Sequence, residues 1–221
     1  GAGYIGSHMV LALLDAGHSP LILDDFSTGF ERLVPAGVPV IRGNISDWNV
    51  TDRLFASHDI DAVAHFAASI VVPESVNDPL KYYLNNTFST TRLILACINA
   101  GVGRFIFSST AAVYGNQDES LIREDATCNP ANPYGTSKLM SEQILRDASQ
   151  AHDLSYVALR YFNVAGADPA GRAGQLSKTA THLIKVAVEV ATGQRDSMQV
   201  FGTDYPTDDG TCVRDYIHIT D

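Results

Sequence analysis

Gly1-Ala2-Gly3-Tyr4-Ile5-Gly6 and, beyond one helix, Ser19-Pro20-Leu21-Ile22-Leu23-Asp24-Asp25 form the stretch on which the fold turns. Gly1, Gly3 and Gly6 spell a G-x-G-x-x-G, the spacing of a tight turn that lets a backbone approach a pyrophosphate closely and a helix pack closely on a sheet. Ser7 to Ala16 has a helical pattern that Gly17 stops, and the apolar run that follows reads as a short strand. Asp24 stands roughly 20 residues past the glycines, where an acid accepts from the adenosine ribose hydroxyls. A 2′-phosphate beside Asp24 would be repelled, so the set favours NAD over NADP. Asp24 and Asp25 also fit an ordinary solvated strand end. No apolar strand precedes Gly1, so either the chain is a fragment cut inside the motif or the glycine match is accidental.

The alternation continues. Val38 to Arg42 reads as a strand, Asp47 to Ser57 as a helix, and Asp61 to Phe66 as a buried strand ending in Ala67-Ala68-Ser69. Asp78-Pro79 caps a long helix to about Ala100, which Gly101 stops, and Arg104 to Phe107 is the next strand. Strands alternating with helices imply right-handed crossovers and a doubly wound parallel sheet, an α/β, Rossmann-like fold. Ligands in such sheets lie at the carboxyl ends of the strands. Those ends carry Asp24, Asn44, Phe66 to Ser69, and Ser108-Ser109-Thr110. His65 reads as core. Asn85 suits either a cofactor contact or an exposed helix position.

Asn132-Pro133-Tyr134-Gly135-Thr136-Ser137-Lys138 opens a helix running to about Ala151. Tyr134 and Lys138 are four apart, one turn along one face. A free tyrosine has a pKa of about 10, and bringing it near 7 takes roughly 4 kcal/mol of preference for the phenolate. One nearby cation supplies about 1–3 pKa units, so Lys138 needs a second positive charge, which an oxidised nicotinamide is. The pair therefore suits proton transfer coupled to hydride transfer, with a hydroxyl of the Ser108 to Thr110 stretch passing the proton. Taken alone, the spacing also describes any amphipathic helix with one tyrosine and one lysine.

Ser155 to Leu159 is a strand leading into Arg160-Tyr161-Phe162-Asn163, followed by a Gly/Pro-rich loop to Gly174. A helix from about Ser177 to Thr192, a strand at Gln199-Val200-Phe201 and a loop to His218 follow. The alternation ends at Asn163, so we expect a dinucleotide domain over 1–163 and part of a smaller substrate lobe over 164–221. The chain has 221 residues, 45% hydrophobic and 18% charged, with a net charge of −10 spread along it. That balance disfavours nucleic acid or an anionic membrane as partner. No apolar run is long enough to span a membrane. The three cysteines, Cys97, Cys128 and Cys212, lack metal-ligand spacing and read as reduced thiols, as in a cytoplasm; no metal is expected.

Five stretches together resemble the extended short-chain dehydrogenase/reductase family and, within it, the NAD-dependent nucleotide-sugar epimerases and dehydratases. They are Gly3 to His8, Phe107 to Gly115, Pro133 to Lys138, Leu159 to Asn163 and Val213 to His218. The resemblance runs from Gly1 to Asp221. It implies a tightly held NAD, a UDP-sugar substrate, a homodimer, and 4-epimerisation of UDP-glucose and UDP-galactose by transient oxidation at C4. It implies Tyr134 as base on the sugar 4-hydroxyl, Lys138 holding the nicotinamide ribose and lowering the phenol's pKa, and Thr110 as proton relay. The cofactor set it implies comprises Gly3, Tyr4, Ile5, Gly6, Asp24, Asp25, Asn44, Ile45, Phe66, Ala67, Ala68, Asn85, Ser108, Tyr134, Lys138, Tyr161 and Phe162. The substrate set comprises Thr110, Ala111, Tyr134, Asn163, His182, Leu183, Gln199, Val200, Phe201 and Arg214, whose guanidinium suits a pyrophosphate.

Some positions depart from the family pattern. Asn44 stands where an aspartate is frequent near adenine, and its amide oxygen is expected to accept in its place. Ile70 stands where some members carry a lysine near the cofactor. Ala111 and Ala112 replace the acid pair of a 4,6-dehydratase, which rules that activity out. The alternatives are a related epimerase acting on UDP-N-acetylglucosamine or UDP-glucuronate, and a non-catalytic NAD-binding module; the intact Tyr134 and Lys138 disfavour the last.

Overall fold

A computed structural model describes residues 1–117, 121–177 and 182–221. The chain divides into two compact units, Gly1–Tyr161 and Phe162–Asp221. The division falls two residues before the boundary read from the sequence, because Asn163–Ala165 is a strand paired with Tyr216–His218.

The first unit is Rossmann-like. Helix α1 (Tyr4–Asp15) leads to β1 (Ile22–Asp24), which pairs in parallel with β2 (Val40–Arg42) in the register Ile22 to Val40. Helix α2 (Trp48–Ser57) starts at Asp47, whose side chain accepts from the Asn49 N–H. Strand β3 (Val63–His65) is the edge of a second parallel sheet, ordered β3-β4-β5, with β4 (Arg104–Ser108) central and β5 (Ser155–Leu159) beyond it. Its edge position leaves Ala64 exposed, where the sequence predicted a fully buried strand. A short helix α3 (Val72–Asn77), not read from the sequence, precedes α4 (Pro79–Tyr82). A π-helical segment, Tyr83–Phe88, carries α4 into α5 (Ser89–Ala100), and Gly101 ends the run in the left-handed conformation at φ 74°. Helix α6 (Pro133–Ala151) follows Asn132, whose side chain accepts from the Gly135 N–H at 2.9 Å.

Phe105 and Phe107 project from one face of β4 and are 1% and 0% exposed. They meet Leu93, Ile94 and Cys97 of α5 and Leu145 of α6. Burying each such side chain is worth about 1.5–3 kcal/mol. The result fixes α6 against the carboxyl end of β4, where the functional residues stand.

The second unit holds β6 (Asn163–Ala165), α7 (Leu183–Ala191) and β7 (Tyr216–His218), with β6 and β7 parallel. Its helix begins at Leu183 rather than Ser177, and residues 178–181 of the expected helix lie outside the described residues. Gln199-Val200-Phe201 is not a strand but exposed coil. Among the described residues no helix is long and apolar enough to cross a membrane.

Candidate active site

The Asn132 cap and Pro133 set the first turn of α6, placing Tyr134 at its start and Lys138 one turn on. Tyr134 meets the Tyr82 ring edge-on, with centroids 6.4 Å apart, and the Thr110 side chain stands near its hydroxyl. Burial raises the Tyr134 pKa, and the nearby Thr110 hydroxyl opposes that rise. Lys138 is 2% exposed; its Nζ donates to the Ser108 carbonyl at 2.8 Å and lies 4.9 Å from the Phe107 ring centre. Burial pushes the Lys138 amine down to about 7. The hydroxyl of Tyr161 bonds Ser108 Oγ, and its own pKa is pushed up to about 12 by burial. Ala111 lies half-buried and donates its N–H to the Tyr161 carbonyl at 3.1 Å. Tyr134, Lys138, Thr110, Ser108, Ala111 and Tyr161 thus converge on one corner. His65 is core, as read: it is 3% exposed and bonded to Thr90 Oγ1 at 2.8 Å.

The glycine turn and the tip of β1 fit a dinucleotide. Gly3 caps α1 in an extended conformation with no side-chain cap, and a Cβ built on it meets nothing within 4 Å. A Cβ on Gly6 would lie 3.0 Å from the Gly1 backbone. Tyr4 and Ile5 open the helix, leaving its positive end beside open space that suits a phosphate. Asp24 sits at the tip of β1, where its oxygens accept from the N–H groups of Ala2 and Phe26 at 2.9 Å. Asp25 accepts from Ser27 N–H at 2.9 Å and from Asn44 Nδ2 at 3.0 Å.

Asn44 departs from its expected role. Its Oδ1 already accepts from the N–H and Oγ of Ser46, at 2.9 and 2.8 Å, so an adenine amino group would compete for it. Ile45 is a partly buried neighbour of the core, Phe66 and Ala68 are half-buried, and Ala67 is exposed. Asn44 and Asn85 line one cavity of about 590 Å³ with Ser46, Lys81 and Ser89. Asn85 also donates to Ser69 Oγ at 3.0 Å. Ile70 is 59% exposed.

Three functional neighbours were not legible as such. Asn86 is buried and grips Ser69 through its N–H (2.8 Å) and carbonyl (3.0 Å), and Ser137 Oγ of α6 (3.1 Å). A regular helix turns successive residues about 100° apart; the π segment lets Asn85 and Asn86 both address Ser69. Buried Glu142 forms an ion pair with half-buried Arg160 and accepts from Ser109 Oγ, one residue before Thr110. The i, i+4, i+8 spacing of Tyr134, Lys138 and Glu142 is the signal that was available.

In the second unit, Asn163 Nδ2 donates to the Asp215 carbonyl at 2.8 Å, which brings Asn163 beside Arg214 in the chain. Arg214 is exposed, and its Nε contacts Cys212 Sγ at 3.3 Å. His182 precedes α7 and Leu183 begins it, 50% exposed. Phe162, Gln199, Val200 and Phe201 are exposed.

The profile of the NAD dependent epimerase/dehydratase family matches residues 1–221. A UDP-glucose 4-epimerase of Azospirillum brasilense is 58% identical over the whole chain, which spans 64% of that relative's length. A crystal structure of UDP-glucose 4-epimerase from Brucella ovis in complex with NAD is 45% identical at a TM-score of 0.95, with 99% of this chain and 67% of that one covered. One from Bifidobacterium longum in complex with NAD+ and UDP is 40% identical at a TM-score of 0.93, with 100% and 69% covered. The glycine turn, the acid at the next strand tip and the Tyr134–Lys138 face are therefore those of a member, and the chain belongs to the NAD-dependent epimerase/dehydratase family.

Proposed function

We propose that this chain carries the catalytic centre of a UDP-glucose 4-epimerase, which interconverts UDP-glucose and UDP-galactose by transient oxidation at C4. The observation that carries the reading is the placement of Tyr134 and buried Lys138 one turn apart on α6, with Lys138 Nζ donating to the Ser108 carbonyl at the tip of β4, two residues before Thr110. The 58% identical relative supplies the substrate class. NAD, when bound, supplies the acceptor for the C4 hydride and returns it. Gly3, Tyr4, Ile5 and Gly6 would hold its phosphates, Asp24 its adenosine ribose, and Lys138 its nicotinamide ribose. Tyr134 takes the 4-hydroxyl proton and gives it back, and Thr110 bridges substrate and phenol. Lys138, when protonated, favours the phenolate. Asn163 and Arg214 hold the UDP portion, Arg214 through its guanidinium.

The test is incubation of the full-length, NAD-loaded protein with UDP-galactose. UDP-glucose is expected without added cofactor, and its absence rejects the reading. UDP-N-acetylgalactosamine in parallel shows whether the sugar pocket also takes an N-acetylhexosamine. We further propose a homodimer in the cytoplasm. Family resemblance supports the dimer, and three free thiols suit a reducing compartment. A monomeric mass in solution would reject the dimer.

A further inference from the structure

Tyr134, Lys138 and Glu142 occupy successive turns of one face of α6. Each meets a different residue of the segment that leaves β4. Tyr134 stands near the Thr110 side chain, Lys138 donates to the Ser108 carbonyl, and Glu142 accepts from Ser109 Oγ. Glu142 is 6% exposed, and Arg160 closes on it through Nε at 3.0 Å and Nη2 at 2.6 Å. Arg160 is fixed in turn: its Nη1 donates to the Tyr114 hydroxyl at 3.2 Å and the Glu124 carbonyl at 3.1 Å. The next residue, Tyr161, bonds Ser108 Oγ through its hydroxyl and the Ala111 N–H through its carbonyl. Residues 108–111 are thus held by α6 on one side and by the end of β5 on the other. Glu142 is where the two sides meet.

The proposed chemistry leaves Glu142 without a step. An ion pair with one buried and one half-buried partner is a weak source of stability, because desolvation and solvent screening offset much of its attraction. Geometry gives a better reason for it. We propose that Glu142, with Arg160, is a positioning residue: by holding Ser109 it sets the angle at which Thr110, next in the chain, presents its hydroxyl to Tyr134. The inference rests on the epimerase reading for one of its two readouts, turnover; the other, titration of the Tyr134 phenol, stands without it. The titratable and charged groups around that phenol are Tyr82, Tyr161 and Lys138, with Glu74 and Lys81 behind the Tyr82 hydroxyl.

Ser109→Ala removes only the hydroxyl that Glu142 holds and leaves the ion pair in place. Glu142→Gln keeps the volume and loses the charge. In the full-length, NAD-loaded protein both variants should lower kcat by about tenfold or more and leave KM for UDP-galactose within about threefold. A misplaced Thr110 leaves the upward push of burial on the phenol unopposed. The acid limb of the kcat/KM profile should therefore move to higher pH. Tyrosinate absorbance, referred to the matching Tyr134→Phe protein, should titrate upward with it. An unshifted titration in Ser109→Ala overturns the proposal even if kcat falls, since general loosening would lower kcat alone. If the parent protein shows no turnover, the epimerase reading fails by itself. The titration of Ser109→Ala then decides: an upward shift upholds the positioning role and no shift overturns it.

Discussion

Lys138 puts an amine where it is 2% exposed and gives it the Ser108 carbonyl to donate to. Burial lowers its pKa to about 7, against about 10.4 in an unfolded chain. Between those values the unfolded chain holds a proton that the folded one has released, so this group makes stability rise with pH. Protein stripped of cofactor should therefore gain stability over its Lys138→Met variant by up to about 3 kcal/mol from pH 7 to about 9.5. Urea unfolding at the two pH values measures the difference; a flat or falling difference would mean the amine stays charged in the fold. Tyr134→Phe tests the neighbouring group. It keeps the ring against Tyr82 and removes the hydroxyl near Thr110. Turnover should fall by about 10²–10⁴-fold, the usual worth of a proton-transfer group, while NAD stays bound. Loss of NAD or of folding in that variant would make Tyr134 structural.

At the scale of elements, local punctuation was legible and tertiary choices were not. Asn132-Pro133 and Gly101 marked the start of α6 and the end of α5, because caps and left-handed glycines are decided by the residues themselves. The run from Pro79 to Ala100 read as one helix, yet its Tyr83–Phe88 segment is π-helical, a change that no 3.6-residue pattern announces. Strands β6 and β7 escaped notice because each is three residues long and finds its partner some fifty residues away. Gln199 to Phe201 had strand-like residues yet forms exposed coil. That Tyr134 and Lys138 share one helical face was legible from their one-turn spacing, whereas the contacts of Asn86 and Glu142 depend on partners that only packing supplies. Asn86→Ala should cost about 1–3 kcal/mol, since it takes away the side-chain partner of the half-buried Ser69 N–H and carbonyl and one of the partners of buried Ser137 Oγ, and more than Asn85→Ala in the same thermal melt. Gly135→Ala inverts an ordinary expectation. Alanine favours a helix over glycine by about 1 kcal/mol, yet a Cβ here would lie 2.6 Å from the Ala112 carbonyl oxygen and 3.1 Å from Pro130 Cβ. The melting temperature should fall; a rise would show that the turn before α6 yields freely.

Across the whole molecule, an acidic chain is proposed to hold an acidic substrate, so attraction has to come from particular cations rather than from the net charge of −10. In the second unit, Lys185 and Arg195 pair with Glu189, and Arg172 pairs with Asp168. Arg214 makes no ion pair among the described residues and keeps its guanidinium exposed, so its charge is not already neutralised by a carboxylate. The proposed proton-transfer residues, Tyr134, Lys138 and Thr110, all belong to the first unit. If the units divide the work as grip and chemistry, substitutions in each should separate in kinetics. Arg214→Ala removes binding that ground state and transition state share, so KM for UDP-galactose should rise about 10–100-fold, the worth of a charge-assisted hydrogen bond, with kcat within about threefold. Arg214→Lys should recover part of that loss, because an ammonium keeps the charge and lacks the two-pronged fit to a pyrophosphate. Tyr134→Phe should do the opposite, lowering kcat with KM little changed. Steady-state kinetics on the full-length protein measures all three. A fall in kcat as large for Arg214→Ala as for Tyr134→Phe would show that the guanidinium takes part in the reacting geometry, and the division into grip and chemistry would not hold.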